Sequence, residues 1–202
     1  MLEFRQPKDE QEMEQIHKLR YSVYCVEKGF LSKEDYPGGR EYDEYDQHSA
    51  HFLAVDTDDD GEILGTLRLI LNSELGFPVE KLFSLKRPIN DRARTVEMSR
   101  LIVAKQARNI TLQILMGLSR EVYWYAREHE VEDCYAVLED PLLRLLKRVG
   151  LPFRVIGEEK WYMGAYTTPT FLSVSEAIAV LPKNNALFYE YLMEPRGIPI
   201  KV

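Results

Sequence analysis

Residues 95–138, TVEMSRLIVAKQARNITLQILMGLSREVYWYAREHEVEDCYAVL, decide the fold. Thr95–Ala104 is rich in β-branched and aliphatic residues and reads as a strand. Ile110, Ile114, Leu115, Leu118, Val122 and Tyr125 then recur at three-to-four spacing, the stripe of an amphipathic helix near 110–129. Residues 133–138 return to a strand. A strand, a long helix and a second strand form a crossover unit, which should be right-handed and should place the two strands parallel.

Outward from this unit the pattern stays mixed. Asp140 as N-cap, Pro141 at the first helical position and Gly150 past the end bracket a short helix, Leu142–Val149. Residues 153–157 and 161–172 are β-like, and Ser173-Val-Ser-Glu176 is a capping box for a terminal helix, or pair of helices, ending near Met193. Upstream, residues 2–6 read as a strand. Asp9 and Glu12 open a helix that carries Ile16, Arg20 and Tyr24 and stops at Gly29. Residues 31–48 form a long acidic, tyrosine-rich loop without periodicity. Ser49–Val55 and Glu62–Leu71 are strands joined by a turn at 56–61, and a short helix is expected at 78–85. The expectation is an α/β protein of the α+β mixed-sheet kind, one domain over residues 1–202, with a central mixed sheet flanked by helices.

Composition narrows the class of function. The 202 residues carry 33 acids and 26 bases, a net charge of −7, and 45% are hydrophobic, values of an ordinary globular chain. The N-terminus lacks a basic region followed by an apolar one, and no long uncharged apolar run occurs, so a cytoplasmic protein without a membrane span is expected. Cys25 and Cys134 are far apart and form no CxxC, consistent with two buried thiols in a reducing compartment. Charge is uneven. Residues 1–60 hold 16 acids and 7 bases, net −9, whereas residues 81–154 hold 14 bases and 9 acids, net +5. The bases are dispersed and no nucleic-acid motif accompanies them, so nucleic acid is not an expected partner.

Several local patterns invite chemistry and are set aside. Asp56-Thr-Asp-Asp-Asp-Gly61 opens like a calcium loop, but Leu67 stands where a bidentate Glu is needed. His48 and His51 enter a strand on opposite faces, and no metal site is expected. Ser99 has no G-x-S-x-G elbow and is not read as a nucleophile. Tyr123-Trp124-Tyr125 and Trp161-Tyr162 read as core or rim, with the lining of an acyl tunnel as the alternative.

Four blocks carry a stronger signal. They are Arg20-x-x-x-Tyr24-x-x-x-x-x-Phe30, then Asp43-x-x-Asp46, then Arg68 within Gly65-Thr-Leu-Arg-Leu69, then Glu97-x-x-Arg100. In order and spacing they resemble the signature of acyl-homoserine-lactone (autoinducer) synthases, and the element order is that of the GNAT acyltransferase fold. The wording LRYSVYCVEKGFL, DEYDQHSAHFLAV and VEMSRLIVAK is similar to the acyltransferases associated with the exosortase/PEP-CTERM system, a branch of a superfamily that includes N-acyl amino acid synthases. The resemblance covers about residues 10–175. It implies a GNAT-like N-acyltransferase that moves a fatty acyl group to the amine of an amino acid or a derivative.

Two departures shape the expectation. Autoinducer synthases carry a tryptophan and a phenylalanine where this chain has Phe30 and Tyr24, which favours an N-acyl amino acid product over homoserine lactone made from S-adenosylmethionine. The segment Gln106-Ala-Arg-Asn-Ile-Thr111 lacks the glycines of the pyrophosphate loop of CoA-using GNAT enzymes. The expected donor is therefore the acyl-phosphopantetheine arm of acyl carrier protein, with acyl-CoA second and no permanently bound cofactor. An autoinducer synthase and a non-catalytic acyl-carrier or lipid-binding module remain as alternatives.

The residue types fit amide formation. An α-amino group with a pKa of about 8 must lose its proton before attacking a thioester. Glu97, in an otherwise apolar strand, is the expected base, with Arg100 as its catalytic partner. Positions three apart face opposite sides of a regular strand, so a β-bulge must separate the two if they share a site. Arg20 and Tyr24 share a helix face. Arg20, Arg68 and Arg100 are expected to form a web with Asp43, Asp46 and Glu97 that fixes the long loop and recognises the acceptor, with Tyr24, Phe30 and Ser99 beside it. Without the family pattern, Asp43 and Asp46 read rather as a solvated acidic loop, and Glu97 with Arg100 equally as a structural ion pair. Lys105, Arg108, Arg144, Lys147 and Arg148 are expected to dock the acidic carrier protein.

Overall fold

The computed structural model describes residues 1–58 and 61–196. Strand β1 (Leu2–Arg5) leads into helix α1 (Glu10–Tyr21), whose N-cap Asp9 accepts from the backbone N–H of Glu12 at 2.9 Å. The helix runs on as a π-helical stretch over Ser22–Glu27 and ends before Gly29, whose φ of +63° favours glycine. Two 3₁₀ turns, Lys33–Asp35 and Asp46–His48, punctuate the loop that follows. Strands β2 (Ser49–Asp56) and β3 (Glu62–Ile70) form the expected antiparallel hairpin, and Asp59 and Asp60 of its turn lie outside the described residues. Helix α2 (Pro78–Leu82) precedes β4 (Thr95–Val103), a 3₁₀ turn at Lys105–Ile110 and helix α3 (Thr111–Glu128). Strand β5 (Asp133–Glu139) and helix α4 (Asp140–Arg148) follow, and Glu139 rather than Asp140 occupies the cap position.

The β-like run at 161–172 is two strands. β6 (Arg154–Val155) is followed by β7 (Lys160–Tyr162), a turn at Met163-Gly164, and β8 (Ala165–Ser173). Both turn residues have positive φ, +48° and +76°, as a two-residue hairpin turn demands. Helices α5 (Val174–Asn184) and α6 (Ala186–Met193) close the described chain, the first capped by Ser173.

Eight strands make one mixed sheet, ordered β1-β2-β3-β4-β5-β8-β6, with β7 on β8. Among the described residues only β4 and β5 pair in parallel, as the crossover unit requires. This GNAT-like arrangement has α3 against one face, where Leu67, Leu69, Val96, Met98, Ile114 and Leu118 form the main core. Gly117 lets α3 close on β1, because a Cβ there would lie 2.2 Å from the ring of Phe4. The opposite face packs Ile70, Phe77, Val79, Tyr135 and Phe171 under α2. Val96 and Met98 face the first core and Glu97 faces the second side, the period-two alternation of a strand.

Two irregularities in β4 create space for a site. Its pairing with β5 runs from Thr95↔Asp133 to Met98↔Ala136, after which both strands continue without pairing each other. Against β3, Thr66 pairs with Ile102 and Arg68 with Ser99, so Arg100 and Leu101 together oppose Leu67 alone. This is the bulge that the Glu97/Arg100 spacing calls for, and Arg100 sits in it at φ +52°. Among the described residues no helix is long and apolar enough to cross a membrane, and no cluster of His, Cys, Asp and Glu is placed to hold a metal ion.

Candidate active site

Arg20 emerges from the last turn of α1 into the protein and is wholly buried. Its Nη1 and Nη2 grip the carboxylate of Asp46 at 2.6 and 3.1 Å, and its Nε donates to Glu41. Arg68, on β3, donates from Nη1 to Asp43 at 2.6 Å and Asp46 at 2.8 Å, from Nη2 to Asp43 at 3.0 Å, and from Nε to Ser99 Oγ at 2.9 Å. Arg100, turned inward by the bulge, donates from Nη2 to Glu41 at 2.8 Å and to Asp43 at 2.9 Å. Three guanidiniums thus meet three carboxylates in a closed, charge-balanced web. The fork geometry of these pairs gives them strength and direction.

The web fixes the long loop locally as well. The backbone N–H of Asp43 donates to Asp46 Oδ2 at 2.7 Å, and that of Tyr45 to Asp43 Oδ1 at 2.9 Å. Burial pushes the Glu41 carboxyl up, but Arg100 and Arg20 outweigh burial and hold it at about 2. Asp46 is held far below the usual carboxylate range, where burial is again overcome by Arg20 and Arg68. His51 Nε2 lies 3.2 Å from the carbonyl of Asp46, and burial lowers this ring to about 4, so it is neutral at pH 7.

Glu97 stands apart from the web, which corrects the expected membership. The third carboxylate is Glu41, not Glu97. The Glu97 side chain is 2% exposed and accepts from the backbone N–H of Val79, in the first turn of α2, at 2.9 Å. Burial raises it to about 8, against the smaller opposing effects of that N–H and of Arg68. A carboxyl held near 8 exchanges protons with groups of similar pKa at little cost. The arginine forks, conversely, are filled by internal carboxylates. Among the described residues Arg100 Nη1 has only the sulfur of Met163, at 3.8 Å.

A cavity of about 470 Å³ unites these parts. Asp43, Arg68, Glu97, Ser99 and Arg100 form a polar part of its lining, and Leu101, Val103, Leu138 and Leu142, where β4 and β5 separate, form an apolar part edged by Glu27, Lys28, Arg108 and Glu139. Tyr24 and Phe30 stack at 6.2 Å along one wall. Beside them, with its turn against Phe30, the β7–β8 hairpin contributes Tyr162 and Met163. A second, nearly all-apolar cavity of about 80 Å³ lies on the α3 side, and Met98 borders both.

Of the expected docking residues, Arg108 lines the main cavity and pairs with Glu27, and Arg144 pairs with Asp140 at 2.5 Å. Lys105, Lys147 and Arg148 are exposed. Sequence reasoning missed Glu41 and Met98, and it read Tyr162 as core or rim, with an acyl tunnel as the alternative. Glu41 had one available signal: three arginines set against two loop aspartates leave a charge to be matched once Glu97 is assigned elsewhere.

Comparison with known proteins agrees with this fold. The family model described as N-acyl amino acid synthase FeeM matches residues 15–175. An acyl-homoserine-lactone synthase from Vibrio anguillarum is 27% identical over 167 residues, covering 78% of this chain and 82% of the relative. The CoA-dependent acyl-homoserine lactone synthase BjaI, solved with SAM and isopentyl-CoA, superposes with a TM-score of 0.69 at 18% identity, over 99% of this chain and 95% of its own. FeeM itself, an N-acyl amino acid synthase from uncultured soil microbes, gives 0.67 at 14% identity over 92% and 98%. With residues 15–175 matched by the family model, the chain belongs to the FeeM family of N-acyl amino acid synthases, among the GNAT-like acyltransferases.

Proposed function

We propose that this acyltransferase moves a fatty acyl group from the phosphopantetheine arm of acyl carrier protein to the amine of an amino acid or a derivative, giving an N-acyl amino acid in the cytoplasm. The observation that carries the reading is Glu97: buried at the floor of the cavity, bound by no arginine and raised to about 8. Glu97 takes a proton from the acceptor's ammonium, whose own pKa is about 8. The neutral nitrogen attacks the thioester carbonyl, the C–S bond breaks, and the nitrogen gives up a second proton as the amide forms; of the two protons one goes to the leaving thiolate, of pKa about 8.5, and the other passes to solvent, which returns Glu97 to its carboxylate. All three proton affinities lie close together, so no transfer is steeply uphill.

The acyl chain extends into the apolar part of the cavity between β4 and β5. Arg100 and the rest of the web hold the loop that walls the acceptor. The donor enters past Arg108 and Thr111, where the 3₁₀ turn at Lys105–Ile110 contains no glycine to shape a pyrophosphate loop, which supports the carrier over acyl-CoA. Lys105, Arg108, Arg144, Lys147 and Arg148 attract the acidic carrier. The relative from Vibrio anguillarum favours a second reading, lactone synthesis from S-adenosylmethionine.

The test supplies purified protein with a long-chain acyl carrier protein or the matching acyl-CoA, and with each of the common amino acids or S-adenosylmethionine. Free thiol release and product mass are the readouts. Amine-dependent release, faster from the carrier, is expected. Equal rates from acyl-CoA would remove the carrier assignment, a lactone product would select the second reading, and no turnover with any acceptor would leave a binding module.

A further inference from the structure

Tyr162 has no assigned part in this scheme, yet the fold holds it tightly over the cavity. It is the last residue of β7, and the turn after it folds back against Phe30. Gly164 makes that approach possible: a Cβ there would stand 2.6 Å from Phe30 Cδ1, and φ is +76°. The ring of Tyr162 meets Phe83 edge-on at 6.5 Å. Its hydroxyl faces the cavity and has no hydrogen-bond partner among the described residues. Burial raises its pKa, and Arg100, Glu97, Asp43 and Arg68 are the charged groups it feels, so the hydroxyl lies among the polar residues of the site and stays protonated.

Three further donors open on the same space. The Tyr24 hydroxyl also lacks a partner among the described residues, with the Arg100 guanidinium 5.5 Å from its ring centre. Ser99 Oγ accepts from Arg68, which leaves its own proton to give. Among the described residues Arg100 Nη1 has only the Met163 thioether, a weak acceptor. Against these donors stands Glu97, a carboxylate without a cation. The arrangement is complementary to an α-amino acid, carboxylate to the donors and amine to Glu97.

We infer that Tyr162 is a specificity-determining residue of the acceptor site, its hydroxyl joining those of Tyr24 and Ser99 and the open edge of Arg100 as donors to the acceptor's carboxylate; the inference rests on the acyl-transfer reading above. The web is charge-balanced, so a carboxylate is held here by aimed donors rather than by excess positive charge. An amine without a carboxylate leaves buried donors unpaired, and a site built to hydrogen-bond a group rejects analogues that lack it.

The experiment compares wild type with Tyr162→Phe, which keeps the ring on Phe83. The best acceptor among the common amino acids is paired with the amino alcohol of the same side chain. Turnover at saturating donor and calorimetric binding without donor are measured for both. The expected result is an acceptor KM raised about 10-fold, with kcat within about threefold and the donor KM unchanged, and a change under about twofold for the amino alcohol. Tyr24→Phe should shift the same parameter the same way. An unchanged acceptor KM, or an equal loss on the amino alcohol, overturns the role. Binding separates the two layers: wild type that prefers the amino acid and loses that preference in Tyr162→Phe upholds the role even without turnover, whereas wild type that binds both ligands alike overturns it.

Discussion

Glu41 and Arg100 are 59 residues apart in sequence and 2.8 Å apart in space. The contact joins the acidic loop to the bulge of β4, and through Arg20 it reaches the end of α1. Both side chains are taken from water at a cost that only their mutual attraction and the surrounding hydrogen bonds offset. Glu41→Gln removes the charge and leaves Arg20 and Arg100 buried with too little compensation. Urea unfolding should show a loss of about 3–5 kcal/mol. A loss below about 1 kcal/mol would mean that Asp43 and Asp46 hold the loop without it. The pH dependence has a definite sign: Glu41 titrates at about 2 when folded and 4.5 otherwise, so its stabilisation is present above 4.5 and is lost as pH falls through 2.

Much of this arrangement was readable from spacing. The crossover unit follows from the change in period between residues 95–104, 110–129 and 133–138. The bulge follows from parity, because two residues three apart on a strand can share a site only if one extra residue intervenes. Glu41 escaped because nothing local distinguishes it within a run of acids, and its partners are brought to it only by the tertiary fold. The β7–β8 hairpin escaped because Met163-Gly164 is not a usual turn pair, and with it went Tyr162, which a single long strand would have left at the rim.

Glu97 yields two linked predictions. The chemical rate should rise with pH and level off above about 8 as the carboxyl ionises, and Glu97→Gln should lower it by about 10²–10⁴-fold with the fold intact. A pH-independent rate, or a loss under about threefold, would assign the proton to another group. Stability moves the opposite way from Glu41. The folded-state pKa of Glu97 is raised, so wild type is favoured below 4.5 and loses stability as pH rises toward 8. The stability of Glu97→Gln relative to wild type should therefore increase across that window, by an amount on the order of a few kcal/mol.

Carrier docking is best probed away from the cavity. Arg108 lines it and pairs with Glu27, so reversing its charge would disturb the mouth itself. Lys105 and Arg148 are exposed, one opening the 3₁₀ turn and one at the end of α4. Lys105→Glu with Arg148→Glu should raise the KM for acyl carrier protein several-fold at low salt, with the difference shrinking as ionic strength rises and the KM for the amine unchanged. An unaltered carrier KM at low salt would move the docking face elsewhere.

Met98 sets the last expectation. It occupies the final paired position of β4, opposite Ala136, where the two strands begin to separate. Glu97, one residue earlier, faces the α2 side, so the side chain of Met98 turns toward α3 and borders the small apolar cavity as well as the main one. That cavity, about 80 Å³, has room for roughly two or three methylene-sized groups. A flexible thioether at such a boundary yields more readily than a branched side chain. Met98→Ala should join the two spaces and shift the preferred acyl chain about two to four carbons longer, whereas Met98→Phe should shorten it. Truncation here costs stability, about 2–5 kcal/mol for a buried methionine, so thermal unfolding must accompany the measurement. Mass spectrometry of products from a mixed-chain donor pool reads the shift directly. A chain-length profile identical in wild type and both variants would show that the acyl chain ends in the main cavity and never passes Met98.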